Sequence, residues 1–360
     1  MIEHFPLPLL FLVFAGAATA VWIAGIHLSS TTDTLSSRWG LGEALGGLIL
    51  LAIVTNLPEI AITVSGALSH NLDIAVGNIL GGIALQTVVL VILDAFGLGK
   101  KAAFTYRAAS LNLVLEGVLV MAVLTTTVMG TQLPDTVIFA RVTPSSLGIV
   151  LLWLVGLWLV GKARTSLPWH ENGKAPLKPG EAGGPSEQKA KAKAARDKKA
   201  PLAQTLAVFG AGAVVTLVCG VLLESSGEAI AKHLGMSGVL FGATVLAAAT
   251  SLPEVSTGLA SVKMGDYQLA VSDIFGGNAF LPVLFLVADV LSGKAVLPHA
   301  HKTDIYLTGL GILLTAVYVT GLLFRPRRQI ARMGIDSLVV LILYALGLLG
   351  LIALSRAGAS

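Results

Sequence analysis

Ten long apolar runs divide the chain, and they limit its possible folds more than any other feature. A helix that crosses the hydrocarbon core of a membrane needs about 20 predominantly apolar residues, and each run can supply one. Only 12% of the 360 residues are charged, against about 25% in soluble proteins. The sequence therefore predicts an all-α polytopic membrane protein with about ten transmembrane helices, and it excludes a soluble enzyme. Numbered as spans one to ten, the runs cover residues 5–26, 44–68, 72–96, 111–129, 142–160, 202–223, 237–262, 269–291, 305–324 and 335–354.

The distribution of basic residues predicts how the spans are oriented. When the loops are assigned alternately to two sides, nineteen Lys and Arg residues fall on one side and five on the other. Ten of the nineteen lie between Lys162 and Lys199, and the division without them is nine to five. Because Lys and Arg concentrate in cytoplasmic loops, we expect the loop between spans five and six to be cytoplasmic and both termini to lie outside. The expected location is the cell (inner or plasma) membrane.

The segment from residue 162 to residue 201 separates two halves of the chain. It is rich in Lys, Ala, Pro and Gly, and it holds too few apolar residues to form a core. We interpret it as a flexible basic cytoplasmic linker; the alternative is attraction to anionic lipid headgroups. The N-terminal five-helix half then covers residues 1–161, and the C-terminal half covers residues 202–360.

The two halves contain a repeated segment. A shift of 195 positions aligns residues 40–94 with residues 235–289 without a gap, and 17 of the 55 positions are identical. The identities include the pattern Thr-x-Leu-Pro-Glu at residues 55–59 and 250–254, which chance sharing among apolar helices does not explain. Since each half has five spans, an odd number, the second half must cross the membrane in the opposite direction. Inverted repeats of this kind are typical of transporters that hold their ion near the midplane.

The repeated pentapeptide brings several oxygen ligands to one place in the membrane. Pro58 has no N–H to donate, so the carbonyl of Val54 loses its helical partner. Thr55 and Glu59 are four residues apart and share a helix face. The second copy, at residues 250–254, supplies the same hydroxyl, carboxylate and freed carbonyl, with Thr250 and Glu254 in the corresponding positions.

These ligands favour a hard cation. Calcium takes six to eight oxygens, including carboxylates and backbone carbonyls, and two glutamates neutralise one divalent ion. The spans contain no paired His or Cys, which disfavours a soft transition-metal site. The alternative is that the prolines only kink helices and the glutamates bond to neighbours. Ionisable residues inside a membrane are costly and usually mark ion pathways, so we predict a functional site for the symmetric pair.

Spans three and eight add polar residues to this site. Asn78, Gly82 and Gln86 lie four residues apart and form one stripe on span three. In span eight the polarity comes from Asp273 and Asn278. We interpret the four polar side chains as candidate ligands, with helix packing as the alternative.

Other acidic residues give weaker signals. Glu43 and Glu224 lie near the ends of predicted spans and are expected at the membrane interface. Asp94 and Asp289 match across the repeat near the ends of spans three and eight, where they either line an entrance or are solvated. Glu116 lies inside span four, as a proton or ion relay or as a structural residue.

The repeated segments resemble the alpha repeats of the calcium/cation antiporter superfamily, which includes the sodium/calcium exchangers. The resemblance rests on Thr-Asn-Leu-Pro-Glu at 55–59 with Gly-Asn-Ile-Leu-Gly-Gly at 77–82, and on Thr-Ser-Leu-Pro-Glu at 250–254 with Ser-Asp-Ile-Phe-Gly-Gly-Asn at 272–278. It implies that Glu59 and Glu254 bind calcium. It further implies that Thr55 and Thr250 are shared calcium and sodium ligands, and that Asn56 and Ser251 help to bind sodium.

The chain departs from the superfamily pattern in spans three and eight. The Gly-Ser-Asn pattern is replaced by Gly-Gly-Ile at 81–83 and by Gly-Gly-Asn at 276–278. Gln86 stands where exchangers often have Asn, and Leu281 where they often have Asp. The resemblance therefore implies a retained calcium centre with fewer or weaker sodium sites.

Together these observations predict a secondary antiporter that exchanges Ca²⁺ for a monovalent cation by alternating access. Sodium is the expected partner ion; protons are the alternative, because they need only buried glutamates and not the missing ligands. An intramembrane enzyme and a calcium sensor without transport are further alternatives, although neither needs inverted symmetry. We expect no cofactor, no nucleic acid and no obligatory protein partner; the partners are the transported ions and the lipid bilayer.

Overall fold

The computed structural model describes residues 5–39, 52–69, 71–97, 102–134, 139–163, 201–236 and 241–357. The predicted linker, apart from its ends, and the first part of span two therefore lie outside the described residues. Within them the fold is almost entirely helical, with one two-stranded antiparallel hairpin, Gln329–Ile330 with Met333–Gly334.

The N-terminal half supplies the helices of spans one to five. Span one is Leu7–Trp39; span two is described as Ala52–Thr55 and Leu57–Leu68; span three is Leu72–Ile92, continued by a π-helical turn at Leu93–Gly97; span four is Leu111–Gly130; and span five is Pro144–Ala163. A short helix, Phe104–Ala108, precedes span four, and a 3₁₀ turn, Phe139–Arg141, precedes span five.

The C-terminal half follows the same plan. Span six is Leu202–His233; span seven is Gly242–Leu246 (π), Ala247–Thr250 and Leu252–Met264; span eight is Tyr267–Phe280, Leu281–Val283 (3₁₀) and Leu284–Ser292; span nine is Lys302–Phe324; and span ten is Ile335–Ala357. A 3₁₀ turn, Leu297–His299, lies before span nine.

Eight of the described helices are long and apolar enough to cross a membrane. A ninth candidate is the bent pair of span seven, whose two parts meet at 47°. Span two is described only from residue 52, and its two helical pieces have the same arrangement as the broken helix of span seven. The prediction of an all-α membrane protein built from two inverted repeats is confirmed.

Spans one and six differ most from their predicted lengths. Their helices continue to Trp39 and His233, well beyond the apolar runs that end at residues 26 and 223. The apolar run marks the part of a helix that contacts lipid or protein, whereas the helix continues through polar residues that keep their backbone hydrogen bonds. The predicted ends were therefore wrong for these two spans.

The spans differ in how deeply they are buried among the other helices. Spans three and eight are enclosed by the other helices, and 72% of the most apolar stretch of each is buried. Spans one and six pack on each other and on the two broken helices, in a cluster that includes Val21, Ile62, Leu223 and Ala249. This arrangement places the repeated pentapeptides between the inner pair, three and eight, and the peripheral pair, one and six.

Candidate cation-binding site

Each repeated pentapeptide interrupts a helix at the residue before Leu-Pro. The first helix stops at Thr55 and restarts at Leu57, and Asn56 between them has φ −88° and ψ 17°. Ser251 occupies the same position in the second copy, with φ −81° and ψ 4°. The restarted helices place Glu59 and Glu254 in their first turns. The N-terminus of a helix carries positive partial charge, so both breaks favour a carboxylate at this position.

The two glutamates are buried at the contact between the halves. Glu59 is 0% exposed and Glu254 is 1% exposed. Neither carboxylate oxygen of Glu59 has a hydrogen-bond partner, and neither does Oε2 of Glu254. The Glu59 carboxyl group faces Thr250, and that of Glu254 faces Thr55 as well as Glu59 itself. Each glutamate therefore faces the threonine of the other repeat, as the pseudo-twofold relation requires.

Gln86 joins the two halves through its amide. Its Nε2 donates to Glu254 Oε1 at 3.3 Å and to Asn56 Oδ1 at 3.0 Å. Asn56 is fixed at its other end, where Nδ2 donates to the carbonyl of Ala52 at 2.6 Å. Gly277 makes this possible, because a Cβ at that position would lie 2.7 Å from Asn56 Nδ2. The oxygen of Asn56 is thus engaged by Gln86, whereas the Ser251 hydroxyl has no hydrogen-bond partner.

Asp273 is a third acidic side chain in the same contact. It is 1% exposed, and its Oδ2 accepts a hydrogen bond from Thr257 Oγ1 at 2.7 Å. Its Oδ1 lies 3.5 Å from the donor Thr55 Oγ1, and its charge acts on Glu254. Sequence reasoning missed Thr257; its spacing of three residues from Glu254, on the same helix face, was the available signal.

Two of the predicted ligands, Asn78 and Asn278, form no described hydrogen bond with the carboxylates. Asn278 donates from Nδ2 to Thr87 Oγ1 at 3.1 Å, so its described bond is to span three. Asn78 is fully buried, and neither of its amide atoms has a hydrogen-bond partner. Thr87 was not predicted, because a helical hydroxyl usually bonds its own backbone and gives no sequence signal; here it also donates to Ile83 O.

The chemistry of the site is that of a hard, oxygen-ligated cation. In the described part of the chain, no three His, Cys, Asp or Glu side chains group closely enough to hold a metal ion by themselves. A cation between Glu59 and Glu254 would therefore also need hydroxyl, amide or carbonyl oxygens. Thr55, Thr250 and the carbonyls freed by the prolines are of that kind. Two buried carboxylates with unpaired oxygens are expensive unless a cation or protons neutralise them.

Three predictions about other acidic residues need correction or stay open. Asp94 and Asp289 are neither solvated nor at an open entrance; they are 0% and 1% exposed, because both bind backbone N–H groups of the following loops. Glu224 is 5% exposed, because span six continues ten residues beyond its predicted end and packs there on other helices; its place at the membrane interface stays a prediction. Glu43 lies outside the described residues. Glu116 is 1% exposed, and its role stays a prediction.

The family model described as sodium/calcium exchanger protein matches residues 9–162 and 204–353, which include both halves. Among curated proteins, the Escherichia coli inner membrane protein YrbG is 27% identical over 297 residues, covering 80% of this chain and 84% of that protein. The putative antiporter CaxA of Alkalimonas amylolytica is 28% identical over 270 residues, covering 74% and 76%.

Solved structures of two transporters share the fold. The sodium-calcium exchanger NCX_Mj, in crystals soaked with 10 mM Na⁺ and zero Ca²⁺, gives a TM-score of 0.58 at 17% identity and covers 95% of this chain and 98% of its own. The H⁺/Ca²⁺ exchanger CAX gives a TM-score of 0.60 at 15% identity, with coverage of 97% and 89%. With the family match over both halves, these findings identify the chain as an integral membrane protein of the sodium/calcium exchanger family, a Ca²⁺/cation antiporter and not an enzyme.

Proposed function

We propose that this protein exchanges Ca²⁺ for Na⁺ by alternating access, with Glu59 and Glu254 as the central calcium ligands. The observation that carries the proposal is the pair of buried glutamates whose unpartnered oxygens face across the repeat contact. The hydroxyls of Thr55 and Thr250 face the same carboxylates and supply neutral oxygens to both ions.

The charge of the site favours exchange over a channel or a uniporter. Two or three carboxylates without cations repel one another in a region of low dielectric constant, so the empty site is unfavourable. A transporter that returns without a cation would have to pass through that state. Return is therefore coupled to loading with another cation, which is antiport.

A proton-coupled exchanger is the second candidate, and specific residues favour it. Leu281 supplies no ligand oxygen where exchangers often have Asp, and Asn56 Oδ1 is already bonded to Gln86. Both features reduce the oxygens available to sodium. Asp273 adds a carboxyl group that can carry a proton. Sodium remains the first choice because Thr55, Thr250 and Ser251 keep hydroxyl groups at the two breaks.

The test is calcium flux into proteoliposomes with the membrane potential clamped. An outward sodium gradient at equal pH should drive calcium uptake, and a pH gradient without sodium should drive little. Uptake that follows the pH gradient and ignores sodium would contradict sodium coupling and establish the proton exchanger. Uptake with neither gradient would contradict antiport itself.

The proposal also includes the domain organisation of the chain and its location in the cell. We infer two five-helix units, residues 1–161 and 202–360, joined by a cytoplasmic linker at 162–201 in the cell membrane. The distribution of basic residues and the inner-membrane relative support this.

A further inference from the structure

A second buried carboxylate pair lies at the far end of span three. Asp94 follows Gln86 by eight residues, which is about 12 Å along a helix, so it is separate from the site between the halves. Its Oδ1 accepts the N–H of Phe104 at 2.9 Å, and its Oδ2 accepts the N–H of Gly334 at 2.6 Å. Asp94 therefore holds both the helix before span four and the hairpin before span ten.

Asp336 is the second member of this pair. It is in the first turn of span ten and is 6% exposed, and neither of its carboxylate oxygens has a hydrogen-bond partner. A Cβ at Gly334 would contact Asp336 Oδ1 and would lie 3.2 Å from Asp94 Oδ2. The two carboxyl groups are thus neighbours across Gly334.

Three hydroxyl groups surround the pair. Thr105, on the helix before span four, is 1% exposed, and its hydroxyl faces the carboxyl group of Asp336. Tyr318, on span nine, shares a 3.2 Å hydrogen bond with Ser337 and is close enough for the charges of Asp94 and Asp336 to act on it. Two carboxylates and three hydroxyls from four segments therefore converge on one buried volume.

The basic residues described nearby do not neutralise the pair. The guanidinium groups of Arg325 and Arg327 lie over the ring of Tyr106, at 5.2 and 5.1 Å from its centroid. Nε and Nη2 of Arg325 are buried without an acceptor. The helix terminus at Asp336 offers only about half a positive charge, which is less than two adjacent buried carboxylates require.

The second half of the chain provides an internal comparison. Asp289 matches Asp94, and it too accepts a loop N–H, that of Val296, at 2.8 Å. Its other oxygen accepts from the Thr143 hydroxyl at 2.6 Å, and Ser145 and Ser146 bond to that same hydroxyl. Hydroxyl groups thus satisfy the aspartate of the second half. Beside Asp94 of the first half lies a second carboxylate, Asp336 of span ten, which has no ion-pair partner among the described residues. This end of the molecule therefore holds more buried negative charge than its described neighbours balance.

We propose that Asp94 and Asp336, with Thr105, Tyr318 and Ser337, form a binding site for one Ca²⁺ ion that is distinct from the transport site. Two carboxylates balance a divalent charge, and all the candidate ligands are oxygens, which suits a hard cation. The ion would tie the hairpin at 329–334 and the start of span ten to the end of span three. The site lies on the side of the molecule from which the linker at 162–201 departs.

The test measures calcium binding by purified protein whose transport site is disabled. In Glu59→Gln/Glu254→Gln protein, equilibrium dialysis with radioactive calcium should still find one ion per chain. Adding Asp336→Asn should weaken that binding at least about tenfold, because ligand charge tunes calcium affinity over several decades. Asp304→Asn is the matched control: Asp304 is also buried in the first turn of a span, yet it caps its own helix at His301, and its loss should leave the affinity unchanged.

Thr105→Val provides a second variant if Asp336→Asn does not fold. It removes one neutral ligand at nearly constant volume and should weaken binding in the same background. No calcium bound to the double variant, binding that survives Asp336→Asn, or full displacement by equimolar Mg²⁺ would overturn the proposal. If the double variant instead binds as many ions as the unmodified protein, the proposed transport site is wrong and this second site is unaffected.

Discussion

The central glutamates owe their properties to the residues around them, and not to their charge alone. A buried carboxylate normally finds donors, yet three of the four oxygens of Glu59 and Glu254 have none, although Gln86 lies beside both. Each side chain instead faces a threonine of the opposite repeat. Unsatisfied buried oxygens of this kind are rare in folded proteins and need an explanation. The proposed binding of a transported cation would supply one, because such an ion occupies the site only for part of the transport cycle.

For the two glutamates we predict that Glu59→Gln and Glu254→Gln each abolish calcium transport while the protein still folds. Glutamine keeps the shape of the side chain but leaves a divalent ion half neutralised. Initial rates of calcium uptake in proteoliposomes should fall at least about 100-fold, the effect of losing close to 3 kcal/mol. Glu224→Gln, which alters a buried glutamate of span six outside the site, should keep at least half of the rate. Substantial uptake by Glu254→Gln protein would contradict the assignment.

Much of this site could be predicted from the sequence, because its key residues lie within two matched pentapeptides. What could not be predicted was the pairing between side chains. Asn56 and Gln86 bond to each other across two spans, and Asp273 takes its hydrogen bond from Thr257. Such pairings depend on how helices rotate against one another, which residue spacing within one helix does not determine. Asp94 and Asp289 were misjudged for a related reason: nothing in a single span shows that a loop folds back to bury its end.

Among the elements, the broken helices and the long peripheral helices depend on each other. Gly25 on span one and Gly220 on span six are 195 positions apart, the offset of the repeat. A Cβ at Gly25 would lie 3.0 Å from Cα and Cβ of Pro253, and one at Gly220 would lie 3.1 Å from Cα of Pro58. Each peripheral helix therefore packs closely, through a glycine, on the proline of the opposite repeat. The helix breaks could be predicted from the prolines in the sequence. The packing of the matching glycines on those prolines is visible only in the folded structure.

We predict that Gly25→Ala slows calcium exchange without preventing calcium binding. In the proposed alternating-access cycle spans one and six move past the broken helices, and an added methyl at this contact would have to be accommodated during that movement. Overpacking of about 1 kcal/mol at the barrier corresponds to roughly a fivefold lower rate. Gly16→Ala on the same helix is the control, because a Cβ there has nothing within 4 Å. Equal rates for the two variants would show that the contact at Pro253 does not limit transport.

The whole molecule is two similar halves that form an inverted repeat, and the proposed alternating access rests on this relation. A site at the contact between two halves of similar fold can open toward either side of the membrane by the same kind of helix movement. The half that moves for one side corresponds to the half that stays in place for the other. The halves are not equivalent in detail: Asn56 matches Ser251, Asn78 matches Asp273, and Gln86 matches Leu281. The candidate ligands contributed by the two halves therefore differ, as the proposed competition of two cations of different charge for one site would require.

The inverted arrangement in the membrane can be tested with cysteine labelling, because Cys219 is the single cysteine and is buried. In a Cys219→Ser background, one cysteine replaces Gln132, between spans four and five, or Arg328, between spans nine and ten. Both side chains are exposed, and the two loops occupy corresponding places in the repeats. Since the repeats are inverted and basic loops face the cytoplasm, an impermeant maleimide added to intact cells should label the Gln132→Cys protein alone. In inverted vesicles the same reagent should label only the Arg328→Cys protein. Labelling of both from one side would contradict inversion, and the reverse pattern would keep the inversion but place the linker outside the cell.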